Sequence, residues 1–302
     1  MPDRCTVIYV MSDVRSGSTL LENILSKSDE TVSVGEMALL KAHILRTGPG
    51  ARWNWNCSCG LPPVECPFWK GALQNISVSA PKFNTAVQWN YRSKKLFAGS
   101  VFSSFIKNKL SELNKKKINQ DTVATNNQLY RNIFQSTGKK FIVDSSKDPV
   151  QAYLTYVNKP SDFDVKIINL KRDLRAIAAS KSKWSVANQK KQKSLGKWLT
   201  NSLFYKKVCA VVTQSVAPPD VISLSYEDLA KHTQQELDAI TKVCGLKAYK
   251  APDYMAVEEN DHTIAGTPQR FTKRPIAYDN SWESFYDKKP LLSFFGKIMN
   301  RV

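Results

Sequence analysis

The stretch Thr6–Leu25, TVIYVMSDVRSGSTLLENIL, decides the fold. An apolar β-type run, Thr6–Met11, enters a polar loop, Ser12–Ser18, and leaves it into a helical pattern with apolar positions at Leu20, Leu21, Ile24 and Leu25. A loop joining a strand to a helix offers successive backbone N–H groups at the positive end of the helix dipole, so it suits an anion. The loop differs from the nucleotide-triphosphatase pattern G-x-x-x-x-G-K-[ST]. Gly17 and Thr19 fit it, but Ser18 stands where the lysine should be and the first glycine is absent. Arg15 supplies positive charge in a planar fork suited to an oxyanion. The site is therefore poorly equipped for magnesium-assisted ATP chemistry and well equipped for an anionic group, and an ordinary strand–helix turn is the bland alternative.

Working outward, strands alternate with helices. Thr31–Gly35 reads as a short strand ending at Glu36, Met37–Arg46 as helical, Lys140–Val143 as a strand and Pro149 as a first helical residue. Val165–Leu170 is a continuous apolar run of the kind a parallel sheet buries on both faces. Leu174–Trp184 and Trp198–Val212 read as helices, with a strand at Val221–Leu224 between the second of them and the chain beyond. This pattern predicts an α/β protein with a P-loop-like open parallel sheet flanked by helices. Ligands in such sheets sit beyond the carboxyl ends of the strands. Arg15, Glu36, Lys147, Arg172 and Tyr226 each follow a strand and are expected to converge on one edge. The expectation is one domain over 1–302, with 46–134 a mainly helical insertion over the acceptor site.

Five motifs in order resemble the sulfotransferases that use 3′-phosphoadenosine 5′-phosphosulfate, of the carbohydrate and tyrosyl-protein type. Arg15-Ser16-Gly17-Ser18-Thr19-Leu20 is similar to their 5′-phosphosulfate loop, and DVKIINLKRDLRAIAAS over Asp164–Ser180 to their 3′-phosphate segment. VDSSKDP over Val143–Pro149, LSYEDL over Leu224–Leu229 and HTIAGTPQRF over His262–Phe271 complete the series. The resemblance implies an enzyme (EC 2.8.2.-) that moves a sulfonate group from that donor to a hydroxyl, leaving 3′,5′-adenosine bisphosphate. It also implies roles. Glu36 is the base, against a plain first-turn acid, with His43 and His262 next in line. Lys147 and Arg15 steady charge at the transferred group, and Arg172 and Ser180 hold the 3′-phosphate, against an Arg172–Asp173 surface pair. Tyr226 contacts the adenine end and Arg270 closes over the donor. Leu174 replaces a proline common in the family, Lys171 an apolar residue, and Thr267 a frequent asparagine. No metal is expected in the chemistry.

The six cysteines include one cluster, CSCGLPPVEC over Cys57–Cys66. Three soft ligands have no adjacent fourth, and a structural zinc site takes four, so a local disulfide or free thiols are the alternatives. The resemblance implies a loop scaffold. The net charge of +18, from 44 Lys+Arg against 26 Asp+Glu, draws anions toward the surface. Most of the basic residues of Lys115–Lys117 and Lys181–Lys197 read as solvated faces. No nucleic-acid-binding motif and no membrane-spanning apolar run is evident. The start of the chain reads as unprocessed, so the expected location is cytoplasmic. The acceptor is expected to be a carbohydrate or other small hydroxylated molecule, anionic ones included, with Trp53, Trp55, Trp69 and Trp89 suited to a ring. The competing readings are a P-loop nucleotide kinase and a non-catalytic polyanion-binding protein.

Overall fold

The computed structural model describes residues 4–47, 55–79, 83–89, 102–189, 193–256, 261–267 and 271–301. Its centre is a five-stranded parallel sheet of β1 (Cys5–Ser12), β2 (Thr31–Gly35), β3 (Phe141–Lys147), β4 (Phe163–Lys171) and β5 (Val221–Ser225), in the order β2-β3-β1-β4-β5. β1 lies between β3 and β4, and every one of its residues is buried. Its side chains alternate between two layers, as the strand period requires. Val7, Tyr9 and Met11 face a cluster with Trp69, Tyr130, Leu154 and Val212, while Ile8 and Val10 face Leu21, Ile24, Leu25, Leu237 and Ile240. Burial on both faces is why this run reads as continuously apolar.

The helices are α1 (Ser18–Leu25), α2 (Leu40–Leu45), α3 (Pro67–Ala72), α4 (Phe102–Lys115), α5 (Lys117–Thr137), α6 (Pro149–Val157), α7 (Leu174–Ala187), α8 (Leu195–Gln214), α9 (Tyr226–Lys231), α10 (Thr233–Cys244) and α11 (Pro290–Arg301). A two-stranded antiparallel pair, β6 (Tyr254–Met255) and β7 (Arg274–Pro275), sits apart from the main sheet. The expected insertion supplies α3, α4 and most of α5. α5 joins the core through Val123, Leu129, Tyr130 and Ile133, all buried. No helix among the described residues is long and apolar enough to cross a membrane.

Two boundaries differ from expectation in ways that matter for the site. β3 continues through Asp144, Ser145 and Ser146 to Lys147, where a strand ending at Val143 was expected. Asp and Ser disfavour strands, but here their side chains have buried partners. Tyr130 Oη donates to Asp144 Oδ2 at 2.6 Å, and Ser145 Oγ donates to Glu22 Oε2 at 2.5 Å. Second, Met37–Leu39 forms a tight 3₁₀ turn before α2, in place of one continuous helix. Pro149 does open α6, and Asp148 caps it by accepting from the N–H groups of Val150 and Gln151.

Candidate active site

The loop after β1, the end of β4 and the start of α9 are clasped together. Gly17 lies at φ +91°, a region that disfavours side chains, and a Cβ there would sit 2.4 Å from Tyr226 Cδ2. Only glycine lets the loop rest on that ring. Tyr226 is buried, and the Arg172 guanidinium lies over its ring, 4.1 Å from Cζ to the ring centroid. Arg172 Nη1 donates to the Arg15 carbonyl at 2.9 Å, and Arg15 Nε donates to Ser180 Oγ at 2.9 Å. Asp279 lies 3.6 Å from Arg172 Nη2, and its N–H donates to Tyr226 Oη at 3.2 Å.

Two guanidiniums thus share one partly enclosed place. Burial, and then the nearness of Arg172 and Arg274, pulls the Arg15 guanidinium below its ordinary value. Arg172 Nε and Ser16 Oγ are buried without a hydrogen-bond partner. Arg15, Arg172, Ser180, Lys183, Trp184 and Asp279 line a cleft of about 280 Å³. Lys183, which sequence reasoning did not single out, joins them because it lies one helical turn after Ser180 on α7.

The second half of the site lies beyond β2 and β3. Lys147 Nζ is 2.6 Å from Glu36 Oε1, and both side chains are largely shielded from solvent. Lys147 closes β3 at φ 72°, a strained conformation for a lysine, and its carbonyl accepts from Tyr205 Oη at 3.0 Å. Glu36 is held by the C-terminal loop: its N–H donates to Ile264 O at 2.9 Å and its Oε1 accepts from Gly266 N–H at 3.2 Å. Gly35 has φ +71°, and a Cβ there would sit 2.2 Å from Ile264 O.

Buried polar groups that the sequence did not disclose set this edge. Asp144 accepts from Tyr130 Oη, Ser146 N–H and Ser146 Oγ, and Ser146 Oγ in turn accepts from Ala38 N–H at 2.9 Å. Burial raises the Asp144 carboxyl above its ordinary value, although these hydrogen bonds pull the other way. Glu22 bridges Ser33 on β2 and Ser145 on β3. Lys181 belongs to a run whose basic residues were mostly expected on solvated faces. It is instead buried, with Nζ 2.5 Å from Asp13 and 3.0 Å from Ser202 Oγ, and so ties α7 and α8 to the anion loop.

The remaining expected residues divide. Ser18 begins α1 and is buried, and Thr19 is half-buried. Leu20 is in the core and its N–H bonds Gly17 O at 2.9 Å, so it contributes packing. Arg270 and Trp53 lie outside the described residues. Trp69 does not face an acceptor. It is fully buried, with Nε1 donating to His262 O at 2.8 Å. Trp55 and Trp89 are half-buried, and Trp89 Nε1 donates to Asp148 Oδ2 at 2.9 Å. His43 Nδ1 faces Trp55 O at 3.0 Å, and His262 Nδ1 faces the thiols of Cys57 and Cys66.

The loop after β1, the paired Arg cleft beside it and the Glu–Lys pair at the ends of β2 and β3 all lie beyond the carboxyl ends of the strands, the edge where open parallel α/β sheets bind ligands. A sequence profile described as the sulfotransferase family matches residues 8–250, and the chain belongs to that family. No individually curated protein sequence matches it. Among solved structures, the sulfotransferase domain of the Synechococcus PCC 7002 olefin synthase is similar at 16% identity and TM-score 0.52, covering 94% of this chain and 89% of that one. The sulfotransferase domain from the curacin biosynthetic pathway is similar at 15% identity and TM-score 0.46, covering 82% and 75%.

Proposed function

We propose that this sulfotransferase uses 3′-phosphoadenosine 5′-phosphosulfate as donor and sulfates a hydroxyl of a carbohydrate or other small hydroxylated acceptor, with Glu36 as base. The observation that carries the donor is the Arg15–Arg172–Ser180 cleft, where two cations share one place and Arg172 Nε lacks a partner. With Asp279 the carboxylate beside them, the two guanidiniums and Lys183 leave the cleft with excess positive charge that suits an anion, and a bidentate guanidinium suits a phosphate. Arg172, Ser180 and Lys183 would take the 3′-phosphate. The N-terminus of α1, with Ser16 and Gly17, would take the 5′-phosphosulfate end.

The donor supplies the sulfonate and a phosphate leaving group. Glu36 accepts the acceptor hydroxyl's proton as its oxygen forms the new S–O bond. Lys147 and Arg15 meet the charge that grows on the bridging oxygen as the old S–O bond breaks. Lys147 Nζ and Glu36 Oε1 lie 2.6 Å apart, so the base and the charge-stabilising ammonium would act at one place. The segment 46–134 would shape the acceptor pocket, with Trp55 and Trp89 among the aromatic residues in play.

A radiolabelled-sulfonate assay over a panel of sugars, phenols and alcohols tests this reading. Label transfer to a hydroxylated acceptor is expected. The kinase and polyanion-binding alternatives predict none, and the kinase predicts thermal stabilisation by ATP with magnesium in place of 3′,5′-adenosine bisphosphate.

A further inference from the structure

Cys57, Cys59, Cys66 and His262 form a cluster whose ligand atoms all lie within 4.8 Å of one another. The sequence offers three thiols and no adjacent fourth ligand, and the fold brings the fourth from about 200 residues away. Cys57 Sγ and Cys66 Sγ are 3.8 Å apart, and Cys59 Sγ and Cys66 Sγ 3.6 Å. His262 Nδ1 is 3.8 Å from Cys57 Sγ and 3.3 Å from Cys66 Sγ. A tetrahedron with Zn–S of about 2.3 Å and Zn–N of about 2.0–2.1 Å has edges of about 3.8 Å between sulfurs and about 3.6 Å from sulfur to nitrogen. These four separations lie within about 0.3 Å of those edges, and all six cysteines are free thiols.

We propose that Cys57, Cys59, Cys66 and His262 bind one structural zinc ion that pins the C-terminal loop against the base Glu36. Binding converts three thiols to thiolates with loss of their protons, and the imidazole contributes a neutral lone pair. All four positions are filled by protein, which is the closed coordination of a structural centre and leaves no place for substrate.

The surroundings fit such a centre. Cys57 and Cys66 are fully buried, and Cys59 is half-buried at the outer side. Phe68 stacks on the His262 ring, 5.2 Å between centroids and 4° between planes, and Trp69 Nε1 holds the His262 carbonyl. These contacts fix the ring's orientation, as outer partners of metal ligands do. Ser58 laces the two loops together: its N–H donates to Thr263 O, its Oγ to Asp261 O, and Thr263 N–H donates to its Oγ. Two residues after His262, Ile264 bridges to Gly35, and Gly266 N–H reaches Glu36 Oε1. The metal would therefore hold in place the segment that carries two of the contacts on Glu36.

Elemental analysis of the full-length chain, purified under reducing conditions without chelator, is the test. Roughly one zinc per chain is expected. Cys59→Ser, at the more exposed ligand, should fold and lose zinc to a colorimetric chelator at least roughly tenfold faster than the parent. Cobalt reconstitution of the parent should give the visible d–d and thiolate charge-transfer bands of a tetrahedral thiolate site. His262→Ala should weaken the charge-transfer bands less than Cys59→Ser, because it removes no thiolate. A metal-free chain whose melting temperature zinc does not raise, an octahedral cobalt spectrum, or a disulfide among the three cysteines by mass mapping overturns the proposal. None of these readouts uses sulfate transfer, so they stand apart from the fate of the donor and acceptor assignment.

Discussion

Gly17→Ala probes the clasp between the anion loop and the Arg172 platform. Two costs are separable. Holding alanine in the left-handed region costs about 1–2 kcal/mol. The new methyl would lie 2.4 Å from Tyr226 Cδ2, an overlap that only a shift of the buried ring relieves, and overpacking of this kind costs about 1–3 kcal/mol. Together the change should destabilise the protein by about 2–5 kcal/mol, a fall of roughly 4–20 °C in melting temperature at about 2–4 °C per kcal/mol. Because Tyr226 also supports Arg172 at 4.1 Å, affinity for 3′,5′-adenosine bisphosphate should fall as well. The same substitution in a Tyr226→Ala background meets no ring, so it should cost only the backbone part, about 1–2 kcal/mol. Chemical denaturation of the four proteins of this cycle, with calorimetry of the nucleotide, gives both numbers. An identical cost in both backgrounds would refute the ring contact, and a cost below about 0.5 kcal/mol would refute the loop conformation itself.

Glu36→Gln removes the proposed base but keeps an acceptor for Gly266 N–H, so turnover should drop by roughly a hundredfold or more with donor affinity preserved; steady-state rates and calorimetry check both halves. Lys147→Ala should lower kcat far more than it raises the acceptor KM, because its contact strengthens only as charge develops. Initial rates should not depend on added magnesium, since the proposed mechanism gives that work to Arg15 and Lys147; a strict magnesium requirement would place charge stabilisation elsewhere. In the acid range, burial pushes the Asp173 carboxyl up, but the hydrogen bonds from Arg175 and Asn300 outweigh it and hold the group below its ordinary value. Its contribution is therefore present above the unfolded value of about 3.9 and is lost as pH falls through the lower folded value. Asp173→Asn should cost stability at neutral pH and progressively less below about pH 4, read as melting temperature against pH.

What the sequence discloses is what is local. The continuous apolar runs mark β1 and β4 because a central parallel strand is buried on both faces, and TVSVG marks β2 to the residue. Arg15, Arg172 and Ser180 are legible as strand-end and helix residues, and the fold gathers them in one cleft. Long-range polar pairing is not legible. Asp144 and Ser145 read as strand breakers until Tyr130 and Glu22 are seen against them, and Lys181 reads as a surface lysine until Asp13 is placed beside it. Trp69 looks like a ring platform and is a core residue, since one side chain's composition carries no sign of which face it turns. His262 is invisible to spacing rules because β3, β4 and β5 separate it in sequence from the cysteines it meets.

The most direct test of the donor assignment compares, by titration calorimetry, 3′,5′-adenosine bisphosphate with adenosine 5′-monophosphate on the parent and on Arg172→Ala. A charge-assisted bond to the 3′-phosphate is worth about 1.5–3 kcal/mol, so the bisphosphate should bind roughly 10- to 150-fold tighter, and Arg172→Ala should abolish most of that advantage. Equal affinity for the two nucleotides on the parent protein would contradict the assignment of Arg172 and Ser180 to a 3′-phosphate.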